Sequence, residues 1–172
     1  TKDVMVNPVS RDNAQNTFEE LFRIGAIPVV NENDTVSTYE MRFGDNDTLS
    51  ALVASLVGAD LLILLSDIDG LYTDDPHKNP KAELIPDVYT IDEEILHMAK
   101  GSTGSGVGTG GMATKIAAAQ IATYSGADMI ITNGENVSVV EDLMEGVKIG
   151  TCFHANLNED FKLEKYIMES MN

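Results

Sequence analysis

Leu61-Leu62-Ile63-Leu64-Leu65, followed at once by Ser66-Asp67-Ile68-Asp69-Gly70-Leu71-Tyr72, is the stretch on which the fold turns. Five consecutive aliphatic residues with no polar alternate spell a strand covered on both faces, as in a parallel sheet between helices. The polar run behind it carries turn signals at Asp69-Gly70, Asp75-Pro76 and Asn79-Pro80, so it reads as a loop at the strand's carboxyl end. Open α/β sheets bind their ligands at such ends. Asp74 and Asp75 themselves fit a Pro-terminated turn.

The neighbouring segments alternate in the same manner. Upstream, Asp47–Gly58 puts Leu49, Leu52, Val53, Leu56 and Val57 on one helical face. Ala26–Asn31 predicts a short apolar strand, and Asp12–Ile24 a helix capped by Asp12 or Asn13 and ended at Gly25. Tyr39, Met41 and Phe43 alternate within Val36–Phe43, which suggests a hairpin or edge strand. Downstream, Asp92–Lys100 predicts a short helix, Met112–Tyr124 an Ala-rich helix, Met129–Thr132 a strand, Val137–Met144 a helix and Ile149–Phe153 a last strand. Leu157–Met171 predicts a terminal helix with Leu157, Phe161 and one of Tyr166 or Ile167 turned inward. This order gives a three-layer α/β/α sandwich with a mostly parallel central sheet.

Composition limits the partners. The 172 residues include 11 Lys+Arg and 28 Asp+Glu, a formal net charge of −17. Such a surface disfavours nucleic acid and anionic membranes as partners. No apolar run approaches the ~18 residues of a membrane span. Cys152 stands alone, so no internal disulfide forms, and no Cys/His pair has metal-site spacing. A cytoplasmic location fits, with Cys152 as a small buried hydrophobe. His77, His97 and His154 have no carboxylate at a spacing that signals catalysis and read as surface or packing residues.

Three clusters carry chemistry. Gly108-Thr109-Gly110-Gly111-Met112-Ala113-Thr114-Lys115 runs into a helix start. Glycines let backbone N–H groups approach a phosphate, and the helix N-terminus adds positive potential. Lys115 in the first turn opposes that dipole, so an anion beside it would explain its place. The run Gly106–Gly111 matches G-x-G-x-x-G literally but lacks the preceding strand that a dinucleotide fold needs. Asn31-Glu32-Asn33-Asp34 and Gly44-Asp45-Asn46-Asp47 offer carboxamides and carboxylates together. An amino-acid substrate needs both, the first for its carboxylate and the second for its ammonium.

Asn31–Asp34, Gly44–Asp47, Ser66–Pro76 and Thr109–Lys115, in this order, resemble the amino acid kinase family, and most closely its glutamate-phosphorylating branch. The resemblance runs from Thr1 to about His154, with 155–172 left as a helical tail. It implies ATP-dependent phosphorylation of the γ-carboxylate of L-glutamate, with Mg²⁺ travelling on the nucleotide. By the same match, Asp34 and Asn46 bind glutamate. Asp47 and Lys115 are catalytic: Asp47 orients the phosphate-contacting lysines, and Lys115 neutralises the transferring phosphoryl group. Ser66, Asp67, Thr109, Gly110, Gly111, Met112, Ala113, Thr114 and Lys115 bind ATP. Free proline is the implied feedback inhibitor, and a homo-oligomer the implied assembly. A relative acting on another acid or a nucleoside monophosphate, and a nucleotide-binding module without catalysis, remain open alternatives.

One departure stands beside these matches. The family's opening strand with Lys-x-Gly-Ser and its Ser-Ser-Gly-Ala loop have no counterpart in this sequence. The domain is therefore expected to be incomplete at its N-terminus, and the 172-residue chain alone to show little or no turnover.

Overall fold

The computed structural model describes residues 2–32, 46–101 and 111–169. Helices α1 (Lys2–Val6), α2 (Pro8–Arg23) and α3 (Asn46–Val57) precede strands β1 (Leu61–Ser66) and β2 (Asp87–Val88). Then come α4 (Glu93–Gly101), α5 (Met112–Tyr124), β3 (Asp128–Asn133), α6 (Val139–Met144), β4 (Thr151–Phe153) and α7 (Leu163–Glu169). The sheet order is β1-β3-β4-β2. β1 pairs parallel with β3 and β2 parallel with β4, while β3 and β4 run antiparallel. The sheet is mixed, parallel in two of its three pairings, within an α/β fold.

Two connections place the business edge of the sheet. α3 leads into β1, and α5 into β3, each through three residues. Helix α3 spans about 18 Å and β1 about 20 Å, so a tight reversal returns the strand along the helix. The N-termini of α3 and α5 therefore lie at the same edge as the C-termini of β1 and β3. The reversals are built by left-handed glycines. Behind α3, Gly58 has φ +62°, and Ala59 N–H donates to the Ala54 carbonyl at 2.9 Å. Behind α5, Ala127 N–H donates to Ala122 at 3.0 Å in the same pattern.

The core lies between one sheet face and the helices α3 and α5. Leu64, Met129, Ile131 and Phe153 from the strands meet Ala51, Leu52, Ile116, Ala119 and Ile121 from the helices. Small alanines in α5 let it approach α3 closely. Met5, Ala99 and Ile167 extend this core to α1, α4 and α7, and Arg11 ties α2 to α7 through Glu164. On the opposite face α6 overhangs a cavity of about 980 Å³ floored by Ile130, Thr132 and Cys152.

Several expectations change. Helix α2 starts at Pro8, not Asp12: Asn7 caps it by accepting from Ser10 N–H at 3.0 Å, and Pro8 takes the first helical position. Ala26–Asn31 is not a strand. Its alternation survives, with Pro28 and Val30 lining a cavity beside α3 and β1 while Ile27 and Val29 are 90% and 96% exposed. It has no strand pairing among the described residues. β1 is covered on one face only, and Leu65 is 44% exposed because β1 forms the sheet edge among the described residues. α7 begins at Leu163, and Leu157 faces solvent, whereas Phe161 packs on Tyr124 as expected. Val36–Phe43 lies outside the described residues.

Gly150 sits at φ +78°, where an added Cβ would stand 2.1 Å from the Ile131 carbonyl oxygen. Gly58 has a similar φ but open space around it. Gly58→Ala should cost about 1 kcal/mol from backbone strain alone. Gly150→Ala should cost more than about 3 kcal/mol, because β3 backbone must also move. Denaturant melts of the two variants measure the difference, and equal losses would contradict the placement of β4.

Asp75 is buried, paired with Lys78 at 2.9 Å and bonded by His77 N–H at 3.0 Å. The Lys78 hydrogen bond first, and the His77 N–H second, hold its carboxyl below the ordinary value. A depressed carboxylate contributes stability above its unfolded pKa, and that contribution is lost as pH falls through the folded value. Asp75→Asn should therefore flatten the fall of Tm below about pH 4 while lowering Tm at neutral pH. An unchanged acid limb would show that the turn bears no such load.

Candidate functional site

The charged centre of the molecule lies where the N-termini of α3 and α5 meet. Asp47 is the second residue of α3, and Lys115 the fourth of α5. Lys115 Nζ donates to Asp47 Oδ2 at 3.0 Å. The Thr114 hydroxyl lies 2.9 Å from the same oxygen and 2.8 Å from the Gly111 carbonyl oxygen, sharing one proton between two acceptors. Lys115 is only 8% exposed.

The sequence explains this meeting. Asp47 suits the first turn of its own helix, where a carboxylate faces the positive dipole end. Lys115 does not suit its turn, and Asp47 supplies the anion its position calls for. α5 has Gly111 as N-cap with no side-chain cap, which leaves its first N–H groups without a side-chain acceptor. One helix start thus presents N–H groups without a side-chain cap beside a buried ammonium whose charge a neighbouring carboxylate holds in place.

A second group of polar residues lines the same sheet edge at the ends of β1 and β3. Ser66 Oγ donates to Asp67 Oδ1 at 3.1 Å. Asp69 is gripped from both sides, by Asn133 Nδ2 at 3.0 Å and the Tyr72 hydroxyl at 3.1 Å. Desolvation first, and Asp69 second, push the Tyr72 phenol pKa up, so it remains a donor. Gly134 N–H donates to the Ser66 carbonyl at 2.8 Å, and a Cβ on Gly134 would fall 2.8 Å from Leu65 Cβ. The two strand ends therefore close tightly on each other. Asp69, Thr132, Asn133 and Asn136 form one end of the 980 Å³ cavity, which is of the size that holds a small-molecule ligand.

Thr151 fixes the loop behind β1. Its hydroxyl accepts from Leu71 N–H at 2.8 Å and donates to the Ile85 carbonyl at 2.6 Å. Sequence reasoning passed over Thr151, Asn133 and the Asp69 clasp. A polar residue inside the apolar Ile149–Phe153 run was the available signal for Thr151.

Of the residues singled out in the sequence, Asp47, Thr114 and Lys115 come together in direct contact. Gly111, Met112 and Ala113 form the start of α5 beside them, with Met112 buried. Asn46 opens α3 and borders the smaller cavity shared with Pro28 and Val30. Ser66 and Asp67 lie at the β1 terminus. Asp34, Thr109 and Gly110 fall outside the described residues. His154 departs from expectation: it bonds Asp87 through Nε2 at 2.8 Å and stacks on Tyr89 at 4.3 Å. That carboxylate lies too far back in the sequence for spacing to reveal.

Known proteins resemble this chain in sequence and in fold. The chain is 49% identical over 163 residues to the glutamate 5-kinase of Clostridium perfringens (strain 13 / Type A), covering 92% of this chain and 60% of that protein. It is 53% identical over 143 residues to the glutamate 5-kinase of Shigella flexneri, covering 83% of this chain and 39% of that one. The chain thus spans 39% to 60% of the length of these relatives. Among solved structures, the UMP kinase of Bacillus anthracis superposes with a TM-score of 0.60 at 15% identity, over 83% of this chain and 51% of that one. That likeness concerns the fold. No described helix is long and apolar enough to cross a membrane. Residues 3–133 match the amino acid kinase family, and with the paired helix starts and the strand-end clasp in the places such a sheet uses for ligands, the chain belongs to that family.

Proposed function

We propose that this chain carries the phosphoryl-transfer centre of an enzyme that phosphorylates the γ-carboxylate of L-glutamate with ATP, through a kinase-type domain over 1–154 and a helical tail over 155–172. The observation that carries the reading is the buried Asp47–Lys115 pair at the open start of α5. The substrate assignment is supported by the 49% and 53% identity to proteins named glutamate 5-kinase. In the reaction a glutamate carboxylate oxygen forms a bond to the γ-phosphorus of ATP as the bond to the bridging oxygen breaks. The products are γ-glutamyl phosphate and ADP, with no proton transfer required.

Such transfer is mostly positioning and charge stabilisation. Lys115 meets the negative charge on the equatorial phosphoryl oxygens. Asp47, bonded in turn by the Thr114 hydroxyl, holds its ammonium in one direction, so little reorganisation accompanies the step. The N–H groups of Gly111, Met112 and Ala113 bind the nucleotide phosphates, and Thr109 and Gly110 of the same glycine run are assigned to ATP with them. Ser66 and Asp67 take part in holding ATP, and the cavity end at Asp69 and Asn133 takes its nucleoside. Asp34 and Asn46 bind glutamate. The carboxylates at this rim are hard donors that suit Mg²⁺ carried largely by phosphate and water, and that ion would offset phosphate charge when bound.

Two predictions follow from the pair. Lys115→Met should lower kcat by about 10³-fold or more and cost roughly 2–3 kcal/mol of stability, since it strands a largely buried carboxylate. Adding Asp47→Asn to it should recover most of the stability and none of the activity. Recovery of kcat in the double variant would remove Lys115 from the chemistry. Asp34→Ala should raise KM for glutamate with little change in KM for ATP. A steady-state substrate matrix on the whole protein measures both, and a panel of glutamate, N-acetylglutamate, aspartate and UMP tests the acceptor. Preference for UMP would overturn the assignment.

A further inference from the structure

Strands β3 and β4 put three metal-ligating side chains on one face of the sheet, away from the Asp47–Lys115 centre. The antiparallel register sets Met129 against Phe153 and Ile130 against Cys152, which brings Asp128 opposite His154 one step further on. Alternation sends Met129, Ile131, Thr151 and Phe153 into the core and leaves Asp128, Cys152 and His154 on the other face. One ligand atom from each of these three lies within 4.8 Å of the other two. All three are partly buried, and Cys152 and His154 line the 980 Å³ cavity.

The surroundings are those of a ligand set. Asp87 on β2 holds the His154 Nε2 at 2.8 Å, and Tyr89 stacks on the ring with planes 6° apart. A carboxylate on one imidazole nitrogen fixes the ring and makes the other a better ligand. Lys148 also reaches Asp87, at 3.4 Å. Asp128 accepts from Ala155 N–H through Oδ1 at 2.7 Å, which orients the carboxylate and leaves Oδ2 available.

We propose that Asp128, Cys152 and His154 bind a zinc-class divalent cation at the antiparallel junction of the sheet. Thiolate, imidazole and carboxylate together form a borderline-soft set that favours Zn²⁺ over Mg²⁺. Bond lengths in such sites set the ligand atoms about 3.5 Å apart, so a side-chain adjustment on the order of 1 Å closes this site. A water from the cavity completes four-coordination. Binding converts the Cys152 thiol to a thiolate bonded to the metal, and its proton leaves to solvent. No electron transfer is involved. The site lies at the opposite end of β3 from Asn133, about 17 Å along the strand. It clips β3 to β4 and, through Asp87, to β2.

Co²⁺ titration of the whole protein, stripped of metal by a chelator and free of nucleotide, tests this. One equivalent should bind with a thiolate-to-cobalt absorption band and visible bands of tetrahedral strength. Zn²⁺ should displace it, and millimolar Mg²⁺ should not. Cys152→Ser should abolish the thiolate band, and His154→Gln should weaken binding about 100-fold or more. Asp87→Asn should keep the band and weaken binding about 10- to 100-fold. Metal-free melts establish that each variant is folded, and His154→Gln alone decides the matter if Cys152→Ser is not. Absence of the band in the parent protein, or an unchanged band and affinity in Cys152→Ser or His154→Gln, overturns the proposal.

Discussion

A lysine ammonium in the first turn of a helix stands against the helix dipole, and the architecture is arranged around making that position tenable at Lys115. The carboxylate of Asp47, delivered by the start of a second helix, does so at 3.0 Å. For the two to meet, α3 and α5 must pack closely and begin at the same level. The alanines of α5 permit the first, and the matched three-residue reversals into β1 and β3 impose the second. A buried ion pair is a poor way to gain stability, since apolar side chains of similar volume usually serve as well or better. Retaining two charges in this place is better explained by the use of charge than by the needs of folding.

That use runs against the molecule's overall field. A chain of net charge −17 repels anions at long range, so attraction must be local and short-ranged. The start of α5 provides it through oriented N–H groups and one partly dehydrated ammonium. Such donors are worth more in a site that excludes water than at the surface. The acidic exterior and the hydrogen-bond donors of this centre are compatible because they act over different distances.

Much of this was legible in the sequence, for identifiable reasons. Met112–Tyr124 and Leu61–Leu65 are long or uniform enough that one periodicity dominates, and both were placed to within a residue. The start of α2 was missed because its signal, Asn7 before Pro8, lies upstream of the apolar periodicity that starts at Ala14. Ala26–Asn31 has a strand's alternation, but a strand is defined by a partner, and pairing is not a local property. β2 has two residues and no pattern to find. Lys115 was identified by its conflict with the dipole, whereas its relief by Asp47 spans 68 positions and needed the fold. His154 shows the converse error: its partner Asp87 is 67 residues away, so local spacing made it look uncommitted.

The loop after β1 shows how a flexible-looking sequence becomes a rigid support. Ser66–Tyr72 is rich in turn formers and would be mobile if it were held only at its ends. Thr151 instead reaches it from β4, and the fit leaves no slack: a Cβ on Gly70 would lie 2.5 Å from the Thr151 hydroxyl oxygen. The same hydroxyl bonds the Ile85 carbonyl, so one side chain joins both arms of the excursion that Tyr72 and Leu84 bridge. Asp69 is then clasped by Asn133 from β3 and Tyr72 from the loop itself. A site needs its contacting groups held to a fraction of an ångström, which loops achieve only when a second layer of bonds locks them. Here that layer comes from β3 and β4. Strands β3 and β4 therefore act on the carboxyl-end edge of β1 through Asn133 and Thr151, although no residue of β4 belongs to the Asp47–Lys115 centre.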